Sequence, residues 1–152
     1  MSWLVSTINT LAHFFPFRIV RKNTQDLYMA RMFDKISGVN GDVVECGLGT
    51  LLTFTMLAKL VENEGSGRKL WGYDSFKGFP EPSIEDKSPR NPQKGEWNVV
   101  NAEDVNKFLL IQGLPKQWVY DNVKIIEGFF QDTMETNSVS NIAFLHLDVD
   151  LY

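Results

Sequence analysis

The sequence has few of the residues on which several common kinds of site depend. Its 152 residues include one cysteine and two histidines, which leaves no material for a disulfide framework or a cysteine-based metal cluster. The chain has fifteen basic and nineteen acidic residues, for a formal net charge of −4. This balance gives no excess of positive charge that would bind nucleic acid. We therefore expect a globular protein of a reducing compartment, by default the cytoplasm, that binds no nucleic acid.

The chain also lacks the glycine-rich signatures of common nucleotide sites. The turn at residues 47–50 is followed by Leu51 and Leu52, where further glycines would complete a dinucleotide fingerprint, and it carries no phosphate-loop lysine. Classical NAD binding is therefore not expected. Gly47 and Gly49 still allow a ligand to approach the backbone closely, so a cofactor turn and an ordinary tight turn both fit.

The N-terminal segment has no long hydrophobic run. Residues 1–17 are uncharged, but polar residues interrupt their apolar ones, and neither a secretory signal nor a spanning helix of about 20 apolar residues fits them. We predict that residues 1–23 form an apolar leader helix that packs on the domain or on a second copy of the chain. A helix lying on a membrane surface, with Arg18, Arg21 and Lys22 near the headgroups, is the alternative.

Residues 24–152 predict strands alternating with helices. The predicted strands are Asp42–Cys46, 69–74, 122–127 and Ile142–Leu147, and the predicted helices are 24–36, 51–61 and 102–113. Residues 75–101 read as one long loop rich in proline and glycine, a length that is uncommon unless the loop is functional or disordered. The pattern predicts an α/β fold with a Rossmann-like, doubly wound, mostly parallel sheet. The last strand is predicted to be buried on both faces, as in the centre of such a sheet.

Acidic residues lie at or near the ends of the first two strands. Open α/β sheets bind ligands at the carboxyl ends of their strands. Asp74 follows the glycine turn at about the spacing at which an acidic residue binds ribose hydroxyls, although a helix-capping or solvated role fits equally well. Glu45 lies in a buried strand, where a charge needs hydrogen-bond donors or a ligand ammonium nearby.

A pair of carboxylates, Asp148 and Asp150, follows the last strand. Their i, i+2 spacing places them on the same side of an extended chain. They can share a divalent cation, of which Mg²⁺ takes one or two carboxylates and keeps waters, or divide the roles of metal ligand and base. His146, inside the strand, is interpreted as a satisfied core histidine rather than a ligand or base.

Four motifs, in this order, resemble the macrocin O-methyltransferase family: VVECG at 43–47, GYDSFKGFP at 72–80, GFFQDT at 128–133 and LHLDVDLY at 145–152. The resemblance covers residues 24–152. It implies a class I methyltransferase fold, of which the chain would hold an N-terminal portion truncated after the fourth strand.

The resemblance implies S-adenosylmethionine as cofactor and methyl transfer to a hydroxyl of a sugar or a related small molecule. Its implied cofactor residues are Glu45, Gly47 and Gly49 at the methionine end, Asp74 at the ribose with Ser75 beside it, and Gly128, Phe129, Phe130 and Gln131 near the adenine.

The resemblance also implies Mg²⁺ or another divalent cation beside the acceptor hydroxyl. Asp148 would be its ligand, Asp150 the general base, and the loop at residues 75–101 a lid over the acceptor. Leu51 replaces a glycine often found in the family, and we expect it to crowd the cofactor. Because further metal ligands would follow Tyr152, we expect poor catalysis from this chain.

Three other functions are compatible with part of this pattern. A glycosyltransferase also places Asp-x-Asp after an apolar strand, to hold a metal and a nucleotide sugar, but that leaves the Gly47 turn and Asp74 unexplained. A haloacid dehalogenase-type phosphatase uses such a motif at the start of its domain rather than the end. A non-catalytic remnant that binds the cofactor weakly, or assembles with a partner or as a homo-oligomer, is the non-enzymatic alternative.

Overall fold

The computed structural model describes residues 24–137 and 139–151, with side chains from residue 28 onward. The predicted leader helix at residues 1–23 lies outside the described residues. The elements are, in chain order, α1 (Thr24–Asp34), β1 (Asp42–Cys46), α2 (Leu52–Glu64), β2 (Leu70–Asp74), α3 (Ala102–Ile111), α4 (Lys116–Asn122), β3 (Val123–Glu127), α5 (Phe130–Thr133) and β4 (Ile142–Leu147). None of the helices described here is long and apolar enough to cross a membrane.

The four strands form one sheet in which every pair is parallel. Their order is β3-β2-β1-β4, so the chain runs outward from β1 through β2 to β3 and then returns to the other side of β1. The predicted doubly wound parallel sheet is confirmed. The reversal places a topological switch point between β1 and β4, where sheets of this class open a crevice for ligands.

The main hydrophobic core lies between one face of the sheet and the helices. Val43 of β1 and Leu70 of β2 are fully buried there with Phe54 and Leu57 of α2. Burying each such side chain stabilises the fold by about 1.5–3 kcal/mol. The other face carries a smaller cluster around Val44, Cys46 and Tyr73, covered by partly buried side chains that include Phe130 of α5.

Two short helices were missed by the sequence analysis. Helix α4 begins directly after Pro115 and buries Val119 alone, so it has too few apolar residues to show a helical period. Helix α5 has four residues and lies within the predicted turn at 128–133. Both follow loops, and neither changes the order of the strands.

The prediction that β4 is buried on both faces is wrong for the described structure. Ile142, Leu145 and Leu147 are 47%, 49% and 59% exposed. Among the described strands β4 pairs with β1 alone, so one of its edges has no neighbour there. An apolar run shows that its side chains favour burial, but whether they are buried depends on the elements that pack on each side of the strand.

Candidate active site

A cavity of about 620 Å³ opens at the carboxyl ends of the strands. Its volume is in the range of small-molecule sites, and it lies at the switch point of the sheet. The residues predicted for the site all line it: Glu45, Gly47, Gly49, Asp74, Ser75, Gly128, Phe129, Phe130, Gln131, Asp148 and Asp150. The fold therefore brings together four sequence motifs that lie up to a hundred residues apart.

The cavity wall is acidic. Glu45, Asp74, Asp148 and Asp150 contribute carboxyl groups, and no lysine, arginine or histidine of the described residues lines the wall. Four carboxyl groups around one volume favour a cationic ligand and disfavour phosphate-bearing ones, since opposite charges attract more strongly where water is partly excluded.

Glu45 forms a hydrogen bond with His146 across the switch point. The two residues are register partners on β1 and β4, and the Glu45 Oε1 to His146 Nδ1 distance is 2.9 Å. Glu45 is 1% exposed, and its second oxygen, Oε2, is buried with no hydrogen-bond partner among the described residues. His146 has a hydrogen-bond partner at Nδ1, as expected, but its side chain is 25% exposed rather than in the core, and the partner is a carboxyl group in the cavity wall.

The pair has perturbed proton affinities. Burial raises the pKa of Glu45, while the hydrogen bond from His146 acts in the opposite direction. The same hydrogen bond raises the pKa of His146 above its usual value. When Glu45 is ionised it can only accept, so Nδ1 must carry the hydrogen. An ionised buried oxygen without a donor is costly, and a cationic donor in the cavity would relieve that cost at Oε2.

Asp74 connects two loops as well as lining the cavity. Its Oδ2 accepts a hydrogen bond from the Leu48 N–H at 2.7 Å, and its Oδ1 accepts one from the Phe76 N–H at 2.7 Å. The side chain thus ties the turn after β1 to the loop after β2. Each carboxylate oxygen can accept a second hydrogen bond, so the predicted ribose contact remains available and remains a prediction.

The two glycines of the β1–α2 turn serve different ends. Gly47 has φ 84°, and a Cβ there would overlap the carbonyl oxygen of Asp148, so this glycine permits contact between the ends of β1 and β4. Gly49 has φ 46°, and no other atom would lie within 4 Å of a Cβ built there. The open space beside Gly49 suits close approach of a ligand to the backbone.

The expectation that Leu51 crowds the cofactor is not supported by its position. Leu51 adopts a left-handed conformation with φ 64° at the start of α2, and its side chain is 1% exposed within the main core. It does not line the cavity, whereas the next residue, Leu52, does so and is 72% exposed. A left-handed leucine costs roughly 1–2 kcal/mol, and burial of its side chain offsets that cost.

The turn after β3 forms an aromatic wall of the cavity. The Gly128 N–H donates to the Asp74 carbonyl at 2.9 Å, which fixes this turn beside the end of β2. Phe129 and Phe130 are half-buried and line the cavity. The Thr133 hydroxyl, at the end of the short helix α5, donates to the carbonyl of Phe129, the residue before the helix, at 3.0 Å.

The long loop at residues 75–101 has no helix or strand, but backbone hydrogen bonds join its two halves. The Phe79 N–H donates to the Glu96 carbonyl at 2.8 Å, and the Gly95 N–H donates to the Phe79 carbonyl at 3.0 Å. Trp97 directly follows these bonded residues. It has φ 63°, is 51% exposed and lines the cavity. Trp97 was not among the predicted site residues, because its only signal in the sequence is an aromatic side chain in a polar loop.

Asp148 and Asp150 lie on the open side of the cavity. Both are exposed, and the Asp148 N–H donates to the Cys46 carbonyl at 2.9 Å. No group of three or more ligating side chains occurs within residues 28–137 and 139–151. The pair therefore offers two oxygen ligands of the kind that Mg²⁺ prefers, but the described residues do not complete a metal centre.

Comparison with known proteins gives one consistent family. The family model of macrocin-O-methyltransferase (TylF) matches residues 20–152. The 8-demethyl-8-(2,3-dimethoxy-alpha-L-rhamnosyl)-tetracenomycin-C 4'-O-methyltransferase of Streptomyces olivaceus is 32% identical over 121 residues, which cover 76% of this chain and 44% of that protein. Mycinamicin III 3''-O-methyltransferase of Micromonospora griseorubida is 29% identical over 128 residues, 76% of this chain and 46% of that protein.

Solved structures show the same fold. The O-methyltransferase NovP superposes with a TM-score of 0.65 at 22% identity, over 82% of this chain and 52% of NovP. The calicheamicin methyltransferase CalS11 superposes with a TM-score of 0.68 at 19% identity, over 86% of this chain and 56% of CalS11. The chain thus spans about half the length of the curated relatives and solved structures that it matches.

Proposed function

This chain belongs to the macrocin O-methyltransferase (TylF) family, and we propose that it holds S-adenosylmethionine for methyl transfer to a hydroxyl of a sugar or related small molecule. The family implies the cofactor. One relative is a 4'-O-methyltransferase of a rhamnosyl-tetracenomycin, and another is a 3''-O-methyltransferase of mycinamicin III. The acceptor class of this chain is inferred from those relatives.

The acidic cavity is the observation that carries the proposal. S-adenosylmethionine has a sulfonium, an ammonium and one carboxylate group and no phosphate, so its net positive charge matches a wall with four carboxyl groups and no cationic side chain of the described residues. Glu45 Oε2, which has no hydrogen-bond partner among the described residues, is an acceptor suited to the ammonium. The open space at Gly49 allows the backbone to approach the ligand.

The residues of the chain then have distinct roles. Asp74 accepts from the ribose hydroxyls while keeping its two backbone hydrogen bonds. Phe129 and Phe130 pack against the adenine, with Gln131 and Gly128 in the same wall, and Ser75 stands beside Asp74. Fixing the ligand in this way accounts for orientation, which is the main requirement of a displacement at a methyl group.

Asp150 is the proposed general base. The bound cofactor supplies an electrophilic methyl group on sulfur. Asp150 removes the proton from the acceptor hydroxyl as the oxygen–methyl bond forms and the sulfur–methyl bond breaks. Asp150 is exposed at the cavity, so it can meet an acceptor that enters from solvent.

A divalent cation is a further part of the proposal. Asp148 would hold Mg²⁺ beside the acceptor oxygen, where a metal would lower the pKa of a hydroxyl. The two described carboxylates supply part of such a site, so the proton transfer is assigned to Asp150 alone.

Two alternatives make different demands on the cavity. A nucleotide-sugar glycosyltransferase must hold a diphosphate, and the acidic wall without basic residues disfavours it. A non-catalytic cofactor-binding remnant needs the same cofactor contacts without the chemistry. Cofactor binding and methyl transfer must therefore be measured separately.

Isothermal titration of S-adenosylmethionine into the purified chain tests the proposal. We expect saturable binding that Asp74→Asn weakens by about tenfold or more. The substitution replaces one carboxylate oxygen with an amide nitrogen, so one backbone N–H loses its acceptor and the ribose hydroxyls lose part of theirs. Asp121→Asn, at an exposed aspartate on α4, is the matched control and should leave affinity unchanged. Binding of UDP-glucose with Mn²⁺, and none of S-adenosylmethionine, would reject the proposal in favour of the glycosyltransferase.

The acceptor step needs its own test. Methyl transfer from labelled S-adenosylmethionine to a rhamnoside would identify the chain as an enzyme, whereas cofactor binding without transfer would favour the remnant. A cytoplasmic location, self-association and membrane contact by residues 1–23 stay predictions from the sequence.

A further inference from the structure

We infer that His146 is a positioning residue, which holds Glu45 through its Oε1 so that Oε2 stays free to accept from the ammonium of the cofactor. The inference rests on the proposed function, because it concerns the methionine end of the same cavity. It concerns a residue outside the cavity wall, since His146 is not among the described residues that line it.

The first support is the place of the pair in the sheet. Glu45 and His146 are register partners on β1 and β4, the two strands that flank the switch point. The sheet therefore fixes the backbone of both residues on each side of the crevice. A 2.9 Å hydrogen bond between Oε1 and Nδ1 then fixes the rotation of the carboxyl group.

The second support is the unequal state of the two Glu45 oxygens. Oε1 has a partner, whereas Oε2 is buried and has none among the described residues. A residue that is 1% exposed rarely leaves an oxygen unpaired without a ligand or water to meet it. Glu45 belongs to the cavity wall, so we place the donor for this carboxyl group on the cavity side.

The third support is the charge around the pair. Asp74, Asp148 and Asp150 line the same cavity as Glu45, and no cationic side chain of the described residues does. With His146 engaged at Oε1, this acidic environment leaves a ligand cation as the fitting partner for Oε2. A carboxyl group free to rotate would present either oxygen, and the ammonium would bind it less tightly because ordering the group costs entropy.

The test compares two ligands that differ at the methionine end. S-adenosylhomocysteine carries the amino acid group, and 5'-methylthioadenosine has the adenine, ribose and sulfur without it. His146→Leu removes the hydrogen-bond donor at similar volume. His146→Asn is the matched conservative variant, because its amide nitrogen can stand near the position of Nδ1.

We expect His146→Leu to weaken S-adenosylhomocysteine by about tenfold or more, the effect of losing a hydrogen bond to a charged group. Its affinity for 5'-methylthioadenosine should stay within about twofold of wild type, and His146→Asn should restore most of the lost affinity. Equal losses for both ligands, no loss for either, or equal behaviour of the leucine and asparagine variants would overturn the inference.

A double-mutant cycle with Glu45→Gln guards against a general loss of structure. Glu45→Gln should weaken S-adenosylhomocysteine selectively, and adding His146→Leu should then change its affinity by less than about threefold, since the two residues act as one unit. A further tenfold loss in the double variant would show that His146 acts independently and would overturn the inference. Failure of wild type to bind either ligand would instead reject the proposed function.

Discussion

The two sides of the cavity differ in how their carboxyl groups are held. On the side of β1 and β2, Glu45 is buried against His146, and Asp74 accepts two backbone hydrogen bonds. On the side of β4, Asp148 and Asp150 follow the strand and are exposed. The first side is ordered by the protein before any ligand arrives, and the second is open to solvent.

This difference separates binding from chemistry. Preorganised acceptors lower the ordering cost of binding, so the β1–β2 side is suited to holding a cofactor whose position must be reproducible. The exposed carboxylates on the β4 side can instead meet an acceptor that enters from solvent. Variants on the two sides should therefore have different consequences for stability and for affinity.

The largest effect is expected at the contact that joins the two sides. Gly47→Ala should lower the free energy of unfolding by about 3–5 kcal/mol, because the new Cβ overlaps the Asp148 carbonyl and the φ of 84° disfavours an L-residue. Gly49→Ala, in open space, should cost about 1–2 kcal/mol. Urea unfolding measures both, and equal costs would contradict the distinct roles of the two glycines.

Leu51 gives the next effect and tests its assignment to the core. Leu51→Gly should relieve roughly 1–2 kcal/mol of left-handed strain but lose about 2–5 kcal/mol of buried side chain. The net result should be a less stable protein with no gain in cofactor affinity. Leu52→Ala, at an exposed position, should stay within about 0.5 kcal/mol of wild type. A tighter cofactor complex in Leu51→Gly would revive the idea that Leu51 crowds the ligand.

Thermal unfolding should distinguish the carboxylates of the two sides. Asp74→Asn should destabilise the chain by about 1–3 kcal/mol, since the amide nitrogen faces a backbone donor that the carboxylate accepted. Asp148→Asn and Asp150→Asn should change stability by less than about 0.5 kcal/mol, as expected of exposed side chains. A large loss from either β4-side variant would show that this side is also part of the folded framework.

The smallest effect concerns the thiol at the end of β1. Burial raises the pKa of Cys46 to about 11, so the native thiol should react with a disulfide reagent at pH 8 about a hundredfold more slowly than an exposed one. A cysteine placed at its register partner, as Leu147→Cys in a Cys46→Ala background, should react rapidly because that position is 59% exposed. Similar rates for the two thiols would contradict the contrast between β1 and β4.

Cys46 also gives the sign of one pH effect. The native thiol keeps its proton to a higher pH than the unfolded one, whose ordinary value is 9.0. The free energy of unfolding should therefore have its full value below about pH 9 and fall as the pH rises toward 11. Loss of this alkaline slope in Cys46→Ala would assign it to the thiol.

The alternation of strands and helices and the acidic residues at strand ends could be predicted from the sequence, because both depend on local patterns, whereas the full set of site residues followed from the family resemblance. Apolar periods gave β1 and β4 their observed bounds, and the motifs placed Glu45 and Asp74 at strand ends that a parallel sheet brings together. Features set by distant contacts could not be predicted. The exposure of Leu147 depends on what lies beside β4, and the direction of the Leu51 side chain depends on its backbone φ.

The same limit applies to the partners of the site residues. A sequence motif gives Glu45 and His146 as residues in two strands a hundred positions apart, but not their register. The hydrogen bond between them forms because the register of β1 and β4 places Glu45 directly beside His146. Trp97 lines the cavity because backbone hydrogen bonds fold the loop at residues 75–101 back on itself. No local sequence pattern predicts where that loop turns.

The most direct test is isothermal titration of S-adenosylmethionine into wild type, Asp74→Asn and Asp150→Asn under the same conditions. If the binding side is separate from the chemical side, Asp150→Asn should bind within about threefold of wild type, because the charge of an exposed carboxylate is screened. Asp74→Asn should bind at least about tenfold more weakly. Equal weakening by both substitutions, or no binding by a folded wild-type chain, would contradict the account.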